Sequence, residues 1–332
     1  MTGERAAFVF PGQGSQFPGM GRELHQFGAE GEALVARAEQ VTGLPVAQLM
    51  TTADAQRLAD PEVAQVLVFT WSAAALARLR RRGWQPSCVA GHSLGEFTAL
   101  YASGSLDLDT ALELVSCRGR AMREAARRTA GAMAAVVGLP LDLVRNLCRL
   151  ACDDTGLVMV ANVNSPRQTV VSGTTDAVHR VIEQAREAGA LRARQLSVGG
   201  AYHSPLMAPA LPALATKLAA VRLDTPRVPL VSSTTGRLVD DLQEYRDELL
   251  WQMLRPVHWR RTVSSLHAHG VDVFVEAGPG RVLTGLGREM VRDARHLGVH
   301  DALRATSSTP SPGTPPSEER PALITAATKG ST

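Results

Sequence analysis

The residues best suited to chemistry stand together at Gly91-His92-Ser93-Leu94-Gly95. This run fits G-x-S-x-G, the nucleophile elbow, in which a serine on a strained strand-to-helix turn holds its hydroxyl clear of the backbone. Glycine suits both flanks because a side chain there would clash across so tight a turn. Five residues alone are a weak pattern, and a plain structural turn is the competing reading. The flanks favour the elbow. Ser87 to Ala90 reads as a short buried strand, and Leu94 to Ser103 as a helix opening directly after the serine.

A serine nucleophile needs a general base, usually His. The sequence holds nine: His25, His92, His179, His203, His258, His267, His269, His296 and His300. His92 adjoins Ser93, so its side chain leaves the backbone in another direction. His179, His267 and His269 fall on predicted helices as surface residues, and His296 and His300 near a frayed end. His203 lies on the loop Gly199 to Met207, and loops on a rigid scaffold are where catalytic groups concentrate. Position alone makes His203 the leading candidate. Two further stretches stay open on local grounds. Pro11-Gly12-Gln13-Gly14-Ser15-Gln16 reads equally as a loop with backbone N–H groups free for an anion or as a plain turn. Arg118 is either a buried cation in need of a partner or part of a solvated helix face.

The elements that must position these residues follow from periodicity. Ala6 to Phe10 reads as a buried strand. Helices are expected over Gly31 to Val41 and Pro61 to Arg82, the second with Pro61 in its first turn and Asp60 as N-cap. Another is expected over Leu108 to Arg128. From Thr129 to Val198 the order becomes β-α-β-β-α-β, the ferredoxin-like pattern, with a turn at Ser165-Pro166. The chain then gives a helix from Pro205 to Val221, a strand Val228 to Ser232, helices Leu242 to Leu254 and Trp259 to His269, a strand Val271 to Glu276 and a last helix to about Val291. The expected organisation is an α/β core over 1–128 and 199–304, an inserted subdomain over 129–198 and a disordered Ser/Thr/Pro/Gly tail over 305–332.

The 332 residues are 45% hydrophobic and 20% charged, enough for a large core. A net charge of +3 is too small to point to nucleic acid. Cys88, Cys117, Cys148 and Cys152 form no C-x-x-C pair, which argues against zinc; Cys88 and Cys117 read as core thiols. No signal peptide is read at the N-terminus, and no apolar run is expected to reach the ~20 residues of a membrane span. The expected setting is the cytoplasm.

Six blocks now carry a resemblance. They are Phe10-Pro11-Gly12-Gln13-Gly14-Ser15-Gln16, Gly91 to Phe97, Arg118-Gly119 with Met122, Asn162-Val163-Asn164-Ser165-Pro166, Tyr202-His203-Ser204 and Glu276-Ala277-Gly278-Pro279-Gly280. In this order, from about Ala6 to Val291, they resemble the malonyl-CoA:acyl carrier protein transacylase family and the related acyltransferases of polyketide synthases. The resemblance implies a hydrolase-like parallel-sheet core with an inserted ferredoxin-like subdomain. It implies Ser93 as nucleophile and His203 as base, the latter oriented by a backbone carbonyl near Pro256-Val257-His258-Trp259. His258 replaces a Gln common in the family. The N–H groups of Gln13 and Leu94 would form the oxyanion hole. Arg118 would bind a malonyl carboxylate, with Met122, Tyr202 and Asn164 as further substrate contacts. Asn164 reads equally as a turn-stabilising residue. Ala201-Tyr202, where malonyl-selective relatives carry Ala-Phe, would crowd an α-methyl branch.

The implied activity is ping-pong transfer of malonyl from malonyl-CoA to the phosphopantetheine thiol of an acyl carrier protein, in fatty acid or polyketide synthesis, with no bound cofactor and no metal. One rival is a hydrolase of the same fold that clears acyl groups from a carrier protein. It would share Ser93 and His203 but has no need of Arg118. A catalytically inert carrier-docking module is the other, and an intact Ser93, His203 and Arg118 speak against it.

Overall fold

Strand β1 (Ala6–Phe10) alternates Phe8 and Phe10 toward one apolar cluster with Ala7 and Val9 toward another, and all five residues are buried. A strand covered on both faces belongs at the centre of a parallel sheet. The computed structural model, which describes residues 4–305, places it there. β1 pairs in parallel with β2 (Cys88–Gly91) on one side and β8 (Val273–Glu276) on the other. The short β7 (Leu230–Val231) and β9 (Arg295–Gly298) complete the order β7-β2-β1-β8-β9. The helices Pro61–Arg81 and Gly95–Ser103 cover one face, with Leu108–Arg128 packed on them, and Trp259–Ala268 and Val282–Met290 cover the other.

The second sheet is antiparallel. Its strands β3 (Gly131–Val137), β4 (Val158–Val163), β5 (Gln168–Thr174) and β6 (Arg192–Gln195) are ordered β4-β5-β3-β6. The crossover helices are Leu141–Ala151 and Thr175–Glu187. This is the ferredoxin-like arrangement. Period-two alternation in β3 sends Ala132, Ala134 and Val136 to a core shared with these helices, and Met133 to the main core. The two sheets meet where β4 bridges the segment before Trp259: Val163 N–H donates to Val257 O at 2.8 Å, and Val257 N–H to Ala161 O at 2.9 Å.

Several expectations are corrected. The helix Pro61–Arg81 is long and apolar enough to cross a membrane by length and composition, but 89% of its apolar 18-residue window is buried against the rest of the protein. It begins as expected, with Asp60 accepting from the N–H groups of Glu62 and Val63. The helix expected from Pro205 to Val221 is broken. A 3-10 turn over Pro205–Ala210 contains Pro209, and the α-helix Leu211–Ala219 starts after it with Pro212 in its first turn. A proline inside an α-helix has no N–H to donate, and the break follows from that. The expected frayed end is instead β9 and the helix Val299–Arg304, with His296 buried in the strand. Met20–Phe27, Val46–Thr52 and Ala55–Leu58 are short helical pieces the periodicity does not reveal. Cys117 is only partly buried and leans on Ala213 O. The expected disordered tail, from 306 onward, lies outside the described residues.

Candidate active site

Ligands of open α/β sheets bind beyond the carboxyl ends of the parallel strands. β1 and β2 both deliver chain there. β2 ends at Gly91, and Ser93 follows with φ of 53°. A Cβ on Gly91 would lie 1.9 Å from the Gly95 carbonyl carbon, and one on Gly95 would lie 2.1 Å from Phe10 O. Only glycine lets this turn close and rest against the end of β1. His203, from the loop after β6, also has a left-handed φ, of 58°. Its neighbour Ser204 ties that loop down by donating to Ala201 O at 2.6 Å and capping the following 3-10 turn.

These two loops meet. Ser93 Oγ is 2.8 Å from His203 Nε2. The other ring nitrogen, Nδ1, faces Gln252 O at 2.8 Å and Arg255 O at 3.2 Å. Carbonyls only accept, so Nδ1 carries the proton and Nε2 is left as the acceptor of the serine O–H. Burial, aided by the Arg118 charge, pushes His203 down to about 3. The imidazole is therefore neutral at pH 7 and available as a base.

Arg118 comes from the middle of the helix Leu108–Arg128 and is 1% exposed. It donates to Ser93 Oγ at 3.1 Å, to Gln252 Oε1 at 3.0 Å and to Gln65 Oε1 at 2.9 Å. Its Nε has no partner, and the guanidinium forms no ion pair among the described residues. Phe97 lies against it, 5.8 Å from the ring centre. Burial lowers it to about 10, with Glu96 and Tyr202 holding it up, so it remains a cation. Met122 does not reach the guanidinium directly; its sulfur accepts from Gln65 Nε2 at 2.9 Å and so aims Gln65 at Arg118.

The Gln13 loop packs against the elbow. Neither the Gln13 nor the Leu94 backbone N–H donates to any acceptor among the described residues. The Gln13 side-chain amide and the Tyr202 hydroxyl are buried facing one another, neither in a well-formed hydrogen bond, and burial pushes that phenol up to about 12. Asn164 bonds to His92 Nε2 at 2.9 Å and to Gln168 at 2.8 Å. It shares a cleft of ≈ 450 Å³ with Gln13, His92, Gln168 and Arg194, between the two sheets. A larger groove, ≈ 800 Å³, contains none of these residues; His258 lines it, half-buried and lowered by burial and by Arg261 and Arg145. Glu276 serves structure: it accepts from Leu283 and Thr284 N–H groups and caps the last long helix. Gln65 and Gln252 are the site residues that reading the sequence missed.

The comparisons agree along nearly the whole chain. The acyl transferase domain family matches residues 7–307. The chain is similar to the malonyl CoA-acyl carrier protein transacylase of Bacillus subtilis, 36% identical over 297 residues, covering 90% of this chain and 94% of that protein. The protein of the same description from Escherichia coli is 37% identical over 286 residues, covering 86% and 92%. Among solved structures, the malonyl CoA-acyl carrier protein transacylase of Coxiella burnetii superposes with a TM-score of 0.86 at 33% identity, covering 90% of this chain and 95% of that one. A malonyl-transacylase solved in complex with a type II PKS acyl-carrier protein gives a TM-score of 0.86 at 34% identity, covering 92% and 99%. With its elbow serine, its carbonyl-held histidine and its buried arginine converging at one point, this chain belongs to the acyl transferase domain family, alongside the malonyl CoA-acyl carrier protein transacylases.

Proposed function

We propose that this chain transfers a malonyl group from malonyl-CoA to the phosphopantetheine thiol of an acyl carrier protein, through an ester on Ser93. His203 Nε2 takes the Ser93 proton as Oγ attacks the thioester carbonyl. The Gln13 and Leu94 N–H groups, free of protein acceptors, receive the oxyanion; one such donor contributes about 3 kcal/mol. The tetrahedral centre collapses and the thiolate of CoA leaves with the proton from His203. In the second half the carrier thiol gives its proton to His203 and attacks the ester, and Ser93 recovers the proton. No bound cofactor is needed, because the thioester brings the activated acyl group. A cytoplasmic setting goes with this pair of substrates.

One observation carries the choice of acyl group. A buried cation with no carboxylate on it stands 3.1 Å from the nucleophile. A malonyl ester on Ser93 brings its free carboxylate within reach of that guanidinium, which suits bidentate pairing. An uncharged acyl group would leave Arg118 unpaired, and this argues against an editing hydrolase. The relatives named above, described as malonyl transacylases, support the same reading. Intact-protein mass after brief mixing with malonyl-, acetyl- or methylmalonyl-CoA tests it. The expected result is a malonyl adduct that Ser93→Ala abolishes, with little acetyl adduct. An acetyl adduct in place of a malonyl one would overturn it and favour the hydrolase.

A further inference from the structure

Behind the Arg118 guanidinium lies a second carboxyl that the acyl transfer does not consume. Glu96, in the first turn of the helix Gly95–Ser103, is fully buried. Its Oε1 accepts the Ser233 N–H at 2.5 Å, and its Oε2 accepts from the side-chain amide of Gln252. The same amide turns its oxygen to Arg118 at 3.0 Å. Carboxyl, amide and guanidinium thus form a relay in which the two ionisable ends never touch. A dipole held between an anion and a cation is polarised by both, and coupling through it is strong where water is excluded.

Around Glu96 stand Arg118 from the helix Leu108–Arg128, and Tyr245 and Glu248 from the helix Leu242–Trp251. The Tyr245 hydroxyl is buried without a partner, while Glu248 is held by Ser232. Burial and the Glu248 charge favour the neutral acid; the Ser233 N–H and Arg118 favour the carboxylate. The balance puts Glu96 at about 8. Arg118 has one positive charge and two candidate claimants for it.

We propose that Glu96 sets how much of the Arg118 charge is free for the substrate: protonated, it leaves the guanidinium to an incoming acyl carboxylate, and ionised, it competes through Gln252 and weakens that grip. Glu96 is a positioning residue in this role, since it touches no reacting atom. The inference rests on Arg118 receiving the malonyl carboxylate, as read above. By linkage, whatever the substrate carboxylate does to the Glu96 proton, the proton does to the substrate.

The test is the ratio of malonyl to acetyl loading rates, each as kcat/KM, followed from pH 7 to 9. Ser93 and His203 serve both acyl groups, and CoA leaves from both, so their titrations cancel. In the unaltered protein the ratio is expected to fall about tenfold as Glu96 ionises. In Glu96→Gln it is expected to stay flat across that range. Gln252→Met keeps Glu96 but removes the relay, and is expected to flatten the profile as well should Glu96→Gln fail to fold. A flat ratio in the unaltered protein, or an equal fall in both variants, would overturn the proposal. A ratio near one at every pH would instead sink the Arg118 reading beneath it.

Discussion

The Arg118 guanidinium donates to the Ser93 hydroxyl at 3.1 Å, on the same oxygen whose proton faces His203. The cation is therefore already beside the proposed nucleophile and would need to move little to meet a carboxylate carried by an ester there. Arg118→Ala is expected to slow malonyl loading by roughly one to two orders of magnitude, the worth of a charged hydrogen bond, and to spare or raise acetyl loading. Arg118→Lys should recover little, since an ammonium cannot reproduce the fork that holds Gln65, Gln252 and Ser93 together. Loading rates by quenched-flow mass spectrometry check both.

His203 titrates far below an ordinary imidazole, at about 3. The proposed base is neutral throughout the usual assay range, so kcat/KM for malonyl loading should show no acid limb near 6.5 and should hold level from pH 7 to 5. An acid limb centred near 6.5 would contradict the burial on which the assignment depends. Stability follows with a definite sign. Below 6.5 the unfolded chain binds a proton at this position that the folded chain refuses, so stability falls as pH drops from 6.5 toward 3. His203→Asn should remove that part of the decline in thermal melts.

Tyr202 presents a buried hydroxyl that faces Gln13 and Gly199 without a well-formed hydrogen bond. Tyr202→Phe removes a poorly satisfied group and is expected to leave stability unchanged or raise it by up to about 1 kcal/mol. Tyr202→Ser opens space instead. Methylmalonyl loading relative to malonyl should rise about tenfold, the scale of one methyl group in an apolar pocket. Urea melts read the first variant and competitive loading from mixed CoA thioesters the second.

The elbow can be separated from its chemistry by two inactive variants. Ser93→Gly and Ser93→Ala both lose the hydroxyl, but only alanine keeps a Cβ at φ of 53°. A left-handed conformation costs a residue with a Cβ about 1–2 kcal/mol. Ser93→Gly should therefore be the more stable of the two by about 1 kcal/mol, less the backbone entropy that glycine gains when unfolded. A Ser93→Ala protein more stable than Ser93→Gly by about 0.4–1 kcal/mol, the ordinary advantage of alanine over glycine, would mean that the turn stores no strain.

The parts legible in the sequence were those with a short local signature. Gly91 to Gly95 specify the elbow because so close a turn tolerates nothing else. The alternation in Ala132, Ala134 and Val136 marks a strand with two different faces. Asp60-Pro61 announces its helix. Gln65 and Gln252 were not legible, because each acts across the fold. Gln65 lies in the apolar run Val63 to Phe69, and its fully buried amide makes sense only once Arg118 is opposite. A lone Gln in such a run was the available signal. Gln252 holds His203 by its main-chain oxygen, which leaves no trace in residue type. β9 is four residues, Arg295 to Gly298, too short and too charged to show a period. Asn164 was open between cleft and turn, and its bond to His92 tethers the residue beside the nucleophile to the second sheet.

Ser93 and His203 are the only residues other than glycine with a positive φ among those described. Both ends of the proposed nucleophile–base pair are thus places where the chain is held in a shape its side chains disfavour. A homologue freed from catalysis would drift there first, toward glycine or asparagine, and would gain robustness by doing so. Laboratory selections that reward expression or heat tolerance alone would push this protein along the same route. Library design for a hardier catalyst should accordingly freeze these two codons and seek improvement elsewhere.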